Sequence, residues 1–214
     1  FHFKSHSCTE TVGDHPILLI FVMSAFVFLA SPARGGICLY GLPSNFAISK
    51  TLKVAHSYLN DAIVIGADTI VVQDDNVVGK PDTNTKARSM LMQLQGKTHQ
   101  VVTAIAIYFG NTGSTAQELC ETNVKMRSMT EEEIEEYVST GESLDKAGAY
   151  AIQNVEFRPA TPLGGCLANV IGLPLCHMSR ALYKNNISVD KNIAEKCQEH
   201  LGYDCPIYES ILQS

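Results

Sequence analysis

No two of the seven cysteines are spaced as C-x-x-C, so neither a zinc-ligand pair nor a thioredoxin-like dithiol is signalled. Their positions (Cys8, Cys38, Cys120, Cys166, Cys176, Cys197, Cys205) are scattered and odd in number. That favours free, mostly buried thiols in a reducing, cytoplasmic setting over a disulfide framework. His177 follows Cys176 directly, but adjacent residues on a helix point apart and make a poor catalytic pair. Charge is sparse too. Charged residues are 18% against 45% apolar, with only 15 Gly and 8 Pro, which excludes a disordered or low-complexity chain. The 16 basic residues are outnumbered by 22 acidic ones, for a net charge of −6. A surface built for duplex nucleic acid leans the other way, so an anionic ligand must be met by a few placed lysines and arginines. No internal repeat is present, and 214 residues suit one domain or two small halves sharing a core.

No apolar run reaches the roughly 20 residues of a membrane-spanning helix. The longest, Ile17 to Ala30, is apolar but for Ser24 and follows Lys4. It suits either a signal-peptide core or one buried strand. The chain opens on Phe1, and residues 1–30 are set aside as an uncertain apolar N-terminal segment.

Beyond residue 40 strands and helices alternate. Ser44 is placed to cap a helix through about Leu59, with Ala47, Thr51, Val54 and Tyr58 on one face. Ala62–Gly66 reads as a buried strand, and Ile70–Gln73 with Val77–Val78 as a hairpin around Asp74-Asp75-Asn76. Thr83 or Thr85 starts a helix carrying Ala87, Met90, Leu91 and Leu94, which Gly96 stops. Val101–Phe109 and Thr122–Arg127 read as antiparallel neighbours, and Thr130 with Glu133 as a capping box for a helix ending near Gly141. Strand signals return at Tyr150–Gln153. Helices are expected from Pro174, at the first helical position, to Lys184 and over Lys191–Leu201 with Asp190 as cap. The fold class is α/β.

Three stretches carry polar residues where the pattern expects burial or a strand end. In Gly66-Ala67-Asp68-Thr69 an acid follows a buried strand, at the edge where open α/β sheets bind ligands. Asp68 there could serve as a general base or a metal ligand, or simply form a turn. In Gly79-Lys80-Pro81-Asp82 an ammonium precedes a helix N-terminus, a setting that suits phosphate as well as a solvated surface. From Asp145 to Gln153 small residues separate Lys146 from Gln153, as a close approach to a ligand or a neighbouring strand requires. Glu131–Glu136 reads as a solvated helix face.

Taken in order, GADT, GKP with ARSMLMQLQGKTHQVVTAIAI, EEIEEYVSTGESLDKAGAYAIQ and NVIGLPL closely resemble the Maf (septum-formation-like) nucleotide pyrophosphatase family over residues 46–184. The resemblance implies a fold of the Maf/inosine-triphosphatase-like type, a mixed sheet with flanking helices, often dimeric. It implies hydrolysis of nucleoside triphosphates to the monophosphate and pyrophosphate with a divalent cation, Mg or Mn; the metal ligands are left unassigned. Asp68 matches the family's proposed proton acceptor, Lys80 the lysine of its KP motif, and Lys50 a lysine on the preceding helix. Thr69 and Gln153 match positions linked to base choice, as in the dTTP/UTP branch, and Lys146 falls in the same motif as Gln153. On this reading residues 31–184 are the Maf-like domain and 185–214 a C-terminal helical tail. A nucleoside triphosphate is the expected partner, with neither nucleic acid nor membrane, and a homodimer is possible. The charge of a triphosphate on an acidic protein asks for Lys50 and Lys80 as local neutralisers. The amide of Gln153 offers a donor and an acceptor to uracil or thymine.

The family opens with S-x-S-P-R-R after its first strand. Here Leu29-Ala30-Ser31-Pro32-Ala33-Arg34 stands instead: Arg34 takes the place of the second arginine, and Ala33 replaces the first. The short span from Arg34 to Lys50 leaves no room for the family's second strand and its acid. That departure motivates an alternative of another class, a weakened or inactive nucleotide-binding or interaction protein on the same fold.

Overall fold

A computed structural model describes residues 7–12, 15–20, 22–23, 41–56 and 62–214, with side chains from residue 41 onward. Arg34 and Tyr58 lie outside the described residues. Strands β1 (Ser7–Val12) and β2 (His15–Ile20) form an antiparallel ribbon, and the short β3 (Val22–Met23) lies parallel to β4 (Ile63–Gln73). The start of the long apolar run is therefore extended chain. Among the described residues no helix is long and apolar enough to cross a membrane.

Helix α1 (Gly41–Ala55) buries Pro43, Ala47, Thr51 and Ala55, one stripe at helical spacing. Ser44 lies inside the helix rather than at its cap. β4 turns through Asp74 and Asp75, both left-handed at φ 49° and 59°, into β5 (Asn76–Val78). That is the backbone a two-residue hairpin demands, and short polar Asp tolerates it. Thr83 caps α2 (Asn84–Leu94), and Gly96 follows its end at φ 67°. β6 (Thr98–Phe109) pairs antiparallel with both β4 and β7 (Ser114–Met126), while β8 (Ala160–Pro162) closes the far edge. The result is a mixed sheet in the order β3–β4–β6–β7–β8, with β5 on β4. β4 and β6 are apolar almost throughout because both faces are covered. The end of β7 alternates buried and exposed residues, as a strand wet on one face does.

The Thr130–Glu133 capping box opens α3 (Glu131–Ser139) as expected. Two short 3₁₀ turns follow, Glu142–Asp145 and Ala147–Ala149, and then α4 (Leu167–Ile171), α5 (Leu175–Lys184), α6 (Ile193–Leu201) and α7 (Tyr208–Leu212). Pro174 is the cap of α5 rather than its first residue, and α6 is capped by Asn192. Asp190 instead accepts from the Asn192 N–H at 2.9 Å in the turn before it.

Two expected elements differ. Ala62–Gly66 and Ile70–Gln73 are one continuous strand, so Asp68 sits in mid-strand and not at a strand end. The register Asp68↔Ala104 and Thr69↔Thr103 explains this: pairing with β6 carries the chain straight through the polar GADT segment. Tyr150–Gln153 is not a strand. Gly148 and Ala149, at φ 73° and 63°, swing the chain away, and side-chain bonds hold it instead of a ladder.

One face of the sheet carries two packed clusters. Ile63, Ile65, Ala67, Ile105 and Ile107 lie under α5, and Val71, Val101 and Val124 lie with α2 and α3. Between them Thr103 is covered by Asn169 of α4, and Thr69 beside it borders a cavity. The other face of β4 and β6 takes α1.

Candidate active site

The approach of α1 to β4 is set by one glycine. A Cβ on Gly66 would stand 2.2 Å from Thr51 Oγ1 and 3.1 Å from the Ala47 carbonyl, so only glycine admits the helix this close. Thr51 Oγ1 donates to Ala47 O at 2.8 Å and lies 3.3 Å from Ala106 O, fastening the helix to β6. Lys50 is thereby brought over Asp68, two residues along the strand from Gly66, and its Nζ donates to Asp68 Oδ1. Asp68 is 6% exposed and the Lys50 side chain 14%. Burial raises the Asp68 pKa above its ordinary 3.8, opposed by the hydrogen bond and charge of Lys50 and by the charge of Lys80. A carboxylate held ionised by a lysine, yet more basic than usual, is suited to take a proton.

Among the described residues, β3 pairs with β4 at Gly66 and Ala67 and β5 from Val71 onward, so Asp68, Thr69 and Ile70 fall between the two pairings along that edge of β4. A cavity of about 1170 Å³ opens there, bordered by Asp68, Thr69, Lys80, Lys146, Tyr150 and Gln153. Five of the seven residues singled out from the sequence thus meet at one cavity. Lys50 stands behind Asp68 rather than on the cavity wall, and Arg34 lies outside the described residues.

Lys80 and Lys146 reach this place through two loops pinned together. The Gly148 N–H donates to the Gly79 carbonyl at 3.0 Å. A Cβ on Gly148 would press on Tyr150, Val71 and Leu94 at 3.2–3.4 Å, in a left-handed backbone that already favours glycine. Burial lowers the Lys80 pKa below its ordinary 10.5; Asp145 and Asp68 oppose that, while Lys146 and Lys50 add to it. Lys146 pairs with its neighbour Asp145 at 3.2 Å. Gln153 is exposed at the mouth.

Thr69 ends a buried network that sequence reasoning missed. Thr103 Oγ1 donates to Asn169 O at 2.9 Å, so its 2.8 Å contact with Thr69 Oγ1 requires Thr69 to be the donor. The Thr69 oxygen keeps its acceptor sites for the cavity. Asn169 in turn donates to Val101 O at 3.0 Å and Thr122 Oγ1 at 2.9 Å, tying α4 to β6 and β7. Its place in the NVIGLPL motif was the available signal.

Tyr150 fixes the loop that carries Lys146 and Gln153. Its hydroxyl lies 2.7 Å from His99 Nε2, and the Ala151 N–H donates to Tyr137 Oη at 2.9 Å. Burial depresses the His99 pKa to about 4, so the ring is neutral at pH 7, and its Nδ1 has no partner among the described residues. Tyr150→Phe removes the one bond His99 makes there. It is expected to cost about 1–2 kcal/mol, a few degrees in Tm by calorimetry.

The fold and site define an α/β protein with a buried acid on a central strand, paired to a lysine of α1 and opening on a cavity that Lys80 and Lys146 border together with Asp145. Comparison with known proteins agrees with the motif order. Residues 41–185 match the family model described as "Maf-like protein", and the chain belongs to that family. It is 37% identical over 163 residues to the dTTP/UTP pyrophosphatase of Dehalococcoides mccartyi (strain CBDB1), covering 73% of this chain and 72% of that protein. It is 42% identical over 139 residues to the dTTP/UTP pyrophosphatase of Alkaliphilus metalliredigens (strain QYMF), covering 65% and 72%. It is 38% identical over 167 residues to that of Bacillus cereus (strain AH187), covering 77% and 86%.

Proposed function

We propose that this chain hydrolyses dTTP or UTP to the nucleoside monophosphate and pyrophosphate. The observation that carries the reading is the buried Asp68, held by Lys50 at the rim of a cavity whose facing cations are Lys80 and Lys146. Asp68 accepts a proton from water as the water oxygen bonds to the α-phosphorus. The bond from that phosphorus to the bridging oxygen breaks, and pyrophosphate leaves with its added charge facing Lys80 and Lys146. Uracil and thymine present acceptor, N–H donor and acceptor along one edge. An accepting Thr69 oxygen and the Gln153 amide supply complementary groups.

A divalent cation, Mg or Mn, belongs to this reading. Among the described residues no three His, Cys, Asp or Glu side chains are grouped to hold an ion alone. Magnesium asks for less: it keeps several waters and takes one or two carboxylates plus substrate phosphates. Asp68 is the buried carboxylate that fits such a shared site, and the ion would add neutralising charge at the phosphates. The reading also includes a cytoplasmic setting, in which the five described cysteines stay free, and a homodimer.

Full-length protein incubated with UTP, dTTP, ATP and GTP in the presence of Mg or Mn is expected to release pyrophosphate from the first two. UTP binding by calorimetry without turnover would instead leave a binding protein. Lys80→Ala is expected to raise KM about tenfold with a smaller change in kcat, since a charge-assisted phosphate contact is worth about 1.5 kcal/mol or more.

A further inference from the structure

The family match ends at residue 185, but the cavity extends beyond it. Ile193, Lys196, Cys197, Glu199, His200 and Leu201 of α6 border the same cavity as Asp68 and Lys80. Ile193, Lys196, Cys197 and His200 are spaced i, i+3, i+4, i+7, with Glu199 and Leu201 flanking that stripe, so α6 borders the cavity along its length and not through one stray side chain. The helix is anchored in that position. Ala194 is buried with Cys176 and Ile211, and Leu201 packs on Cys120 and Cys166. Past its end, Tyr203 Oη donates to Gly165 O at 2.9 Å.

Lys196 is the one lysine on this face. It is ion-paired with Asp190, yet its side chain remains 63% exposed. Asp190 does not border the cavity, whereas Lys196 does. An ammonium has three donors on a flexible stem, so Lys196 can hold Asp190 and reach a second anion, or exchange one for the other. The other cations bordering the cavity, Lys80 and Lys146, already face Asp68 and Asp145, so a triphosphate brings more negative charge than they neutralise.

Resting on the nucleotide-hydrolase reading of this cavity, we propose that α6 forms a third wall of the substrate site and that Lys196 binds the phosphate chain. The helix thereby extends the site past the family's shared segment.

The test uses full-length Lys196→Ala, Lys196→Arg and Asp190→Asn, with KM and kcat for UTP and dTTP and calorimetric affinity for pyrophosphate. Lys196→Ala is expected to raise KM about 5-fold for both nucleotides, with kcat within about twofold. It should weaken pyrophosphate by a similar factor, and the effect should shrink with added salt. Lys196→Arg should stay near wild type. Asp190→Asn breaks the same ion pair but keeps the ammonium, so its KM should be unchanged or lower. Unchanged KM and pyrophosphate affinity in Lys196→Ala, a rise for one nucleotide alone, or an equal rise in Asp190→Asn would each overturn the proposal. If wild type binds pyrophosphate without hydrolysing UTP, the hydrolase reading fails separately, and the pyrophosphate affinities still decide the role of Lys196. Wild type that binds neither overturns both.

Discussion

Asp68→Asn is expected to lower turnover of UTP or dTTP by roughly 10²-fold or more, the usual cost of removing a general base. The amide keeps the shape and can still accept from Lys50, but it cannot take a proton from water. Stability should change little. Burial makes the folded state favour the neutral carboxyl more than the unfolded chain does, so a neutral isostere gives up little of the folding energy. The same shift has a sign in the wild-type pH profile. Asp68 must be ionised to act, so activity should fall as pH drops through a value above the ordinary 3.8. Turnover near wild type in Asp68→Asn, or a variant that unfolds outright, would contradict this role.

Gly66→Ala is expected to cost about 3 kcal/mol or more, at the high end for an overpacked core position. For a chain of this size that is about 6–12 °C in Tm. The new methyl would stand 2.2 Å from Thr51 Oγ1, and neither side can easily yield. β4 is paired with β6 on one edge and β3 on the other, while Thr51 fastens α1 to Ala106. If the helix backs away it takes Lys50 from Asp68, so activity should fall together with stability. Gly66→Ala combined with Thr51→Ala should recover part of the loss, because the closest atom is gone and the two sites are coupled. An unchanged Tm for Gly66→Ala alone would contradict the close approach.

Local chemistry was legible where it decides structure by itself. The Thr83 and Thr130 caps, the Asp74-Asp75 hairpin and the Gly96 stop all follow from side-chain and backbone rules within a few residues. GADT reads as the end of a strand because its small polar residues interrupt the apolar run, whereas the strand continues through it. Its continuity comes from pairing with β6, which lies some 35 residues further along the chain. Tyr150–Gln153 reads as a strand, and the left-handed Gly148 and Ala149 that turn the chain away cannot be read from composition. That Lys80 and Lys146 meet depends on one bond, from Gly148 N–H to the Gly79 carbonyl, which no local pattern announces. Asp68, Lys80 and Gln153 stood out because polar residues sat where burial was expected, and the family resemblance supplied their roles. Thr103, Asn169 and His99 did not, since their hydrogen bonds exist only after distant strands and helices come together. The helix expected over Lys191–Leu201 is α6, but nothing in its sequence announces a cavity beside it.

The most direct test of the central claim is turnover of UTP in heavy-oxygen water, with the products separated and weighed. Attack by an Asp68-activated water on the α-phosphorus predicts one heavy oxygen in UMP and none in pyrophosphate. Label in pyrophosphate, or release of UDP and phosphate, would contradict it.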